Sequence, residues 1–394
     1  MRRQLLHTPE GVRDIYNDEC AKKLILQDSL YQMLVRYGYH PIQTPTFEFF
    51  DIFGREIGTT PSRDLYKFFD REGNTLVLRP DITPSIARCA AKYFGEEDMP
   101  IRLCYMGNTF INNSSYQGRL KESTQLGAEL LGDSSVDADA EMLSMVVSCL
   151  KTAGLKEFQI SVGHADFFRG LMDAAGLLGE QEDELRELIS NKNFFGVEEF
   201  VETLNLNSDL RKLFGMLGNL YTGTDELLEA KAYAKEYPRI EKAIDDLEEL
   251  HRILEVYDIS RYVSFELGII SNYQYYTGII FAGYTFGSGE AIVKGGRYDK
   301  LLTYFGKDSA SIGFAIVIDQ LMAALSRQKI EIPFEKQTLL IVYESQGRTE
   351  AIRHAKELRE NGRAVELILR DAKKSKDDYL AYAARNNITE VRFI

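Results

Sequence analysis

Cysteine and histidine are scarce in this sequence, and those present are scattered. The four cysteines (Cys20, Cys89, Cys104, Cys149) include no Cys-x-x-Cys pair. Neither a zinc site nor a disulfide framework is therefore suggested, and reduced, mostly buried thiols are expected. The five histidines (His7, His40, His164, His251, His354) include no His-x-x-x-His, so no metal and no cofactor is expected. Also missing is any apolar run near the roughly 18 residues of a membrane span. Residues 1–7 turn polar at once, without the apolar stretch of a secretory signal, which points to a cytoplasmic protein. Positive charge is in deficit: 47 basic against 60 acidic side chains leave a formal charge of −13, which disfavours non-specific contact with polyphosphate. What is present is ordinary for a folded chain. Its 394 residues are 44% hydrophobic and 27% charged, enough for two or three domains.

Periodicity predicts an amphipathic helix over 18–38, with Leu24, Leu30, Met33, Leu34 and Tyr37 at helical spacing and Gly38 closing it. Two prolines then force residues 39–50 into extended backbone. Strands at 65–69 and 75–78 bracket a turn at 70–74, and a helix over 81–94 follows, with Thr83 as its cap and Pro84 next. Residues 101–105 and 124–131 read as two further strands. From 169 to 259 the composition becomes helical and charged, a helical insertion whose clearest segments are 180–189 and 239–257. Strands resume at 262–267, 275–284 and 290–293, before a helix over 312–327. Beyond Pro333 the pattern alternates β, α, β, α, β, and residues 336–394 carry 12 basic and 9 acidic side chains. The expected organisation is α+β: a sheet domain at 1–325 holding the insertion at 169–259, a linker at 326–335, and a small α/β domain at 336–394.

Three segments hold residues suited to chemistry. In Leu78-Arg-Pro-Asp-Ile-Thr-Pro84, Asp81 and Thr83 can grip an ammonium group; the same residue types before a helix also serve as caps. In Thr124-Gln-Leu-Gly-Ala-Glu-Leu-Leu131, alternation puts Gln125, Gly127 and Glu129 on one face. That face suits a small polar ligand, with Gly127 making room, and equally suits a solvent-facing strand. Asn272-Tyr-Gln-Tyr-Tyr-Thr-Gly278, with Lys294-Gly-Gly-Arg-Tyr-Asp299, clusters tyrosines beside glycines, as a ring-binding pocket or a simple core would. None of the glycine-rich stretches fits a Walker loop or a dinucleotide fingerprint.

Together and in this order, the segments resemble the class II aminoacyl-tRNA synthetase core of the histidyl-tRNA synthetases. Thr8-Pro-Glu-Gly-Val-Arg-Asp14 resembles that family's opening motif, and residues 38–50 its dimer-forming first motif. Leu78-Arg-Pro-Asp-Ile-Thr83, Gln125-Leu-Gly-Ala-Glu129, Tyr275-Tyr-Thr-Gly278 and Gly295-Gly-Arg-Tyr-Asp299 resemble its histidine-pocket segments. The resemblance covers residues 8 to about 325 and implies an antiparallel sheet flanked by helices. It also implies a histidine pocket of Asp81, Thr83, Gln125, Glu129, Tyr275, Tyr276 and Tyr298, with Asp81 standing where the family has a glutamate.

The phosphate-handling positions depart from that pattern. Adenylate formation needs fixed cations around a triphosphate. In Phe110-Ile-Asn-Asn-Ser-Ser-Tyr-Gln-Gly118, Ile111 replaces the family's arginine and Asn113 its glutamate. Ser271 and Gln320 stand in place of two further arginines. A chain that keeps the pocket and discards the phosphate apparatus resembles the regulatory subunits of ATP phosphoribosyltransferase. This resemblance implies no catalytic residue, a short-form catalytic subunit as partner, L-histidine as feedback effector, and a homodimer within a hetero-octamer. No membrane and no tRNA partner is implied. An active synthetase using Arg119 or Lys121, or a free-standing histidine sensor, are the alternatives.

Overall fold

The computed structural model describes every residue except 1–5, 55–59, 96–99, 114–119, 222, 224, 271–275 and 335–337. The chain divides into two compact units, Met1–Ile332 and Pro333–Ile394.

A nine-stranded mixed sheet organises the first unit. Its order is His40–Pro41, Ile101–Phe110, Glu122–Leu131, Ser311–Val317, Val293–Arg297, Ile279–Thr285, Phe158–His164, Val263–Glu266 and Leu220–Tyr221. The strands pair antiparallel except at two places, where His40–Pro41 meets Ile101–Phe110 and Phe158–His164 meets Val263–Glu266. Alternation divides the side chains between two cores. Cys104, Leu126, Ala128, Leu130, Phe314 and Ile316 join the larger one, beneath helices Asn17–Arg36, Val136–Thr152 and Pro238–Val256. Leu103, Tyr105 and Ile280 join the smaller one, with Ile82, Ile86 and Ala90 of helix Thr83–Tyr93 and its lead-in. The site lies on this second side.

Local chemistry sets the element ends. Helix Asn17–Arg36 carries Asp18 and Glu19 in its first turn, where the helix dipole favours them, and stops before Gly38, whose φ of +83° suits glycine. Ser135 caps helix Val136–Thr152 by accepting from the Ala138 amide at 3.2 Å. Among the described residues, six helices run from Ala165 to Val256. One expectation fails at 312–327. Ser311–Val317 is a strand, and the helix spans only Ile318–Arg327. Ile312, Phe314 and Ile316 alternate into the core, a period-2 pattern that an apolar run also consistent with a helix conceals. The strand expected over 275–284 is Ile279–Thr285, and that over 290–293 is displaced to Val293–Arg297.

A three-stranded antiparallel sheet, Phe47–Phe49 with Thr75–Leu78 and Lys67–Phe69, flanks this framework. The second unit is a parallel sheet with Thr338–Tyr343 between Ala364–Leu369 and Glu390–Phe393. Its central strand buries Leu339 and Ile341 against Ala351 and Ala355 of helix Arg348–Glu360. Leu340 and Val342 pack against Tyr379 and Ala383 of helix Lys376–Arg385.

Candidate functional site

Glu129 is the centre of the site. It lies mid-sheet on Glu122–Leu131, only 1% exposed, so the strand's polar face is not a solvent-facing one. Its carboxylate accepts from Thr83 Oγ1 at 2.8 Å and from Tyr298 Oη at 2.5 Å. No cation pairs with it in these contacts. Burial raises its pKa to about 8, with the two hydroxyls opposing and the nearby Asp81 charge adding to the rise. An uncompensated carboxyl in a dry pocket is poised for a cationic or N–H-bearing ligand.

Thr83 is not the helix cap expected of it. Its hydroxyl serves Glu129, while Asp81 Oδ1 accepts from the Ile82 and Thr83 amides at 2.7 and 3.4 Å and starts the helix. Asp81 Oδ2 has no hydrogen-bond partner among the described residues. Burial raises the Asp81 carboxyl too. Tyr105, Tyr276 and Tyr298 share one buried cluster against Ile82. Among the described residues, the buried Tyr105 hydroxyl and Gln125 Oε1 lack hydrogen-bond partners, so the pocket holds unspent polar capacity. Asp81, Thr83, Gln125, Glu129, Tyr276 and Tyr298 thus belong to connected elements. Tyr275 and Ser271 lie outside the described residues.

Gly127 does not make room for a ligand. It pairs across strands with Tyr105, and a Cβ there would come within 2.5 Å of the tyrosine hydroxyl and 2.2 Å of Phe314 O. The glycine houses the tyrosine. Sequence reading missed Tyr105, although a glycine in a strand interior signals such a close approach.

Arg79 and Arg297 near the pocket are structural. Arg79, 6% exposed, donates to the backbone oxygens of Thr44, Pro45 and Asn108 at 2.8–3.2 Å, which fixes the 44–45 segment against the sheet. Arg297, equally buried, pairs with Asp139 at 2.5 Å and donates to the Asp133 and Ser135 oxygens. Burial raises Asp139 to about 7 against the pull of Arg297. Removing one partner of such a pair leaves an uncompensated buried charge. Arg297→Met should lower stability by about 3–5 kcal/mol in urea titrations at neutral pH; an unchanged midpoint would show the pair to be dispensable. At the altered synthetase positions, Ile111 is half-buried and its amide donates to Lys121 O at 2.9 Å. Asn113 Oδ1 is buried without a partner among the described residues, and Gln320 is half-buried on helix Ile318–Arg327.

A mixed sheet of this topology, backed by helices and carrying a carboxylate-and-tyrosine pocket, defines a class II aminoacyl-tRNA synthetase-like core. The histidyl-tRNA synthetase family model matches residues 11–321. An ATP phosphoribosyltransferase regulatory subunit from Acetivibrio thermocellus is 40% identical over 92% of this chain and 86% of its own length. A protein of the same description from Ruminiclostridium cellulolyticum is 40% identical over 100% of this chain and 93% of its own. The solved structure of an ATP phosphoribosyltransferase regulatory subunit/histidyl-tRNA synthetase from Bacillus halodurans superimposes with a TM-score of 0.87. It is 33% identical and covers 99% of this chain and 98% of that one. A histidyl-tRNA synthetase from Nostoc, 18% identical with a TM-score of 0.80 over 97% of this chain and 90% of its own, shares the fold. The chain belongs to the ATP phosphoribosyltransferase regulatory subunits, a branch of the histidyl-tRNA synthetase family. Its role is regulatory. Among the described residues, no helix is long and apolar enough to cross a membrane.

Proposed function

We propose that this chain activates a short-form catalytic subunit of ATP phosphoribosyltransferase in the cytoplasm and imposes L-histidine feedback on the formation of phosphoribosyl-ATP, the first step of histidine biosynthesis. The observation that carries the reading is the buried Glu129 carboxyl, held by Thr83 and Tyr298 and paired with no cation among these contacts. Histidine matches this pocket chemically. Its ring N–H donates to Glu129 among the tyrosines, and its ammonium meets Asp81 Oδ2 and the Thr83 lone pairs. Gln125 and backbone amides take its carboxylate. Binding that favours one of two states of the complex shifts the partner toward an inhibited state.

The loss of arginines at 111, 271 and 320 supports a non-catalytic role. Each missing charged contact costs on the order of 10²- to 10³-fold in transition-state stabilisation. The deciding experiment mixes the full chain with a candidate short catalytic subunit and follows phosphoribosyl-ATP formation with and without histidine. Activity only in the mixture, falling as histidine is added, is the expected result. Histidine-dependent ATP–pyrophosphate exchange by the chain alone would instead establish a synthetase. Activity of the partner indifferent to this chain would leave a free-standing sensor.

The small sheet supports self-association within a hetero-octamer of four regulatory and four catalytic chains. Phe47, Phe49 and Phe68 fall on one face of it, 51%, 56% and 37% exposed, with Phe47 and Phe68 edge-to-face at 5.7 Å. Exposed aromatics in one patch mark an interface. Phe49→Asp removes one such anchor twice in a two-fold contact, so the dimer dissociation constant should rise on the order of 10³-fold. Sedimentation equilibrium measures this, and an unchanged dimer would place the interface elsewhere.

A further inference from the structure

The pocket's tyrosine segment is tied to two different parts of the fold, and the two ties differ in strength. Toward the sheet, the hold is dense. The Thr277 amide donates to Arg297 O at 2.8 Å and Thr277 Oγ1 to Asp299 Oδ2 at 2.9 Å. Asp299 in turn accepts from the Ser311 amide at 2.8 Å. Toward the helical region, the Ala165 amide at the start of helix Ala165–Ala175 donates to Gly278 O at 2.8 Å, and a side chain makes the second link. Arg169, on helix Ala165–Ala175, donates through Nη2 to the main-chain oxygen of Tyr276 at 2.7 Å, across 107 residues of sequence.

That guanidinium is the inner end of a relay. Arg169 Nη1 lies 3.5 Å from Asp166 Oδ1, and the same oxygen accepts from Arg239 Nε and Nη2 at 3.0 and 2.7 Å. Arg239, in the first turn of helix Pro238–Val256, also bonds Asp173 Oδ2 at 2.7 Å. The side chains of Arg169, Asp166 and Arg239 are 33%, 32% and 44% exposed. Part-exposed ion pairs of this kind are individually weak. The buried Arg297–Asp139 pair is 7% exposed on both sides and will not rearrange cheaply. Coupling between sites is strong enough to remake the exposed relay and too weak to break the buried hold.

We infer that Arg169 is a positioning residue that couples the Tyr276 wall of the pocket to helices Ala165–Ala175 and Pro238–Val256, so that filling the pocket is felt in the helical insertion. This rests on the histidine-effector reading and adds to it the residue that passes the signal outward. Tyr276 stands with its ring over Gly296, where a Cβ would approach Tyr276 Cε1 to 2.7 Å. A ligand seated between Tyr276 and Glu129 therefore cannot displace the ring toward the sheet. The Tyr276 carbonyl shares its peptide plane with the Thr277 amide bonded to Arg297 O, so a push on the segment tilts that plane about the sheet bond and is felt at the oxygen that Arg169 holds. Because Arg169 and Arg239 share Asp166, a change at one is a change at both.

The test is hydrogen–deuterium exchange of the full chain with its catalytic subunit, with and without saturating L-histidine. Wild type, Arg169→Met and Arg239→Met are compared. In the wild type, histidine should protect strand Glu122–Leu131 and also alter exchange in helices Ala165–Ala175 and Pro238–Val256. Arg169→Met should keep the response in the strand and lose it in both helices. Arg239→Met, which leaves Tyr276 untouched, should lose it in Pro238–Val256. By reciprocity, either variant should change histidine affinity by about 5-fold or more in calorimetry, and the double variant by no more than the larger single effect. A purely structural role would instead give additive losses. Equal helix responses in wild type and Arg169→Met, with the strand protected in both, would overturn this inference alone. No protection of the strand in the wild type would sink the effector reading, and this inference with it.

Discussion

Glu129→Gln should abolish histidine feedback in the assembled complex, with apparent affinity falling by about 100-fold or more. A buried, charge-assisted hydrogen bond lost from a binding site costs about 2–5 kcal/mol. The same substitution should leave a second mark, on stability. Glu129 has an ordinary carboxylate pKa in the unfolded chain and one of about 8 when folded. Below the ordinary value both states hold the proton, and the group contributes nothing. As pH rises through the window up to 8, the unfolded chain ionises first, so the native state is progressively disfavoured; above 8 the loss is complete. Glutamine carries no such penalty. The variant should match the wild type near pH 4.5 and exceed it by up to about 4 kcal/mol at pH 8 in urea titrations. A difference that does not grow with pH would mean that Glu129 is not held neutral in the empty pocket. Persistent tight binding by the variant would remove the carboxylate from histidine recognition.

Much of this was readable in the residues, and the reasons differ by element. The tail's alternation of β, α, β, α, β holds in order, as Thr338–Tyr343, Arg348–Glu360, Ala364–Leu369, Lys376–Arg385 and Glu390–Phe393. Its strands are short, apolar and bounded by turn residues, so local pattern and tertiary demand agree. The Gln125–Glu129 alternation likewise gave the correct faces. Period alone could not say whether the polar face met solvent or a covering helix, because that depends on Thr83–Tyr93 packing across from it. The misread helix over 312–327 failed for a related reason: an unbroken apolar run fits either period, and it is pairing with Glu122–Leu131 on one side and Val293–Arg297 on the other that makes Ser311–Val317 a strand. Tyr105 was missed because its importance is a cross-strand property. Nothing in the run Ile101–Phe110 singles it out until register sets it opposite Gly127.

Register also yields the last prediction. Gly313 is the cross-strand partner of Glu129, and a Cβ at Gly313 would fall 1.6 Å from Glu129 Oε2 and 2.8 Å from Ala128 O. The carboxylate is folded over the bare backbone of the neighbouring strand, and only glycine leaves it that space. With Tyr298 on one oxygen and Thr83 on the other, Glu129 cannot swing aside without giving up at least one bond. Gly313→Ala should therefore displace the carboxylate and weaken histidine binding by about 100-fold or more, while a mid-strand pairing partner is retained. Overpacking at a buried position costs about 1–3 kcal/mol, so this variant should be less stable than the wild type. Here the two substitutions part company. Glu129→Gln removes the acid and gains stability as pH rises, whereas Gly313→Ala keeps the acid in the wrong place and loses stability. Calorimetry with histidine together with urea titrations at pH 5 and pH 8 separates them. Histidine affinity in Gly313→Ala equal to wild type would mean that the position of the Glu129 carboxylate does not govern recognition, even if its presence does.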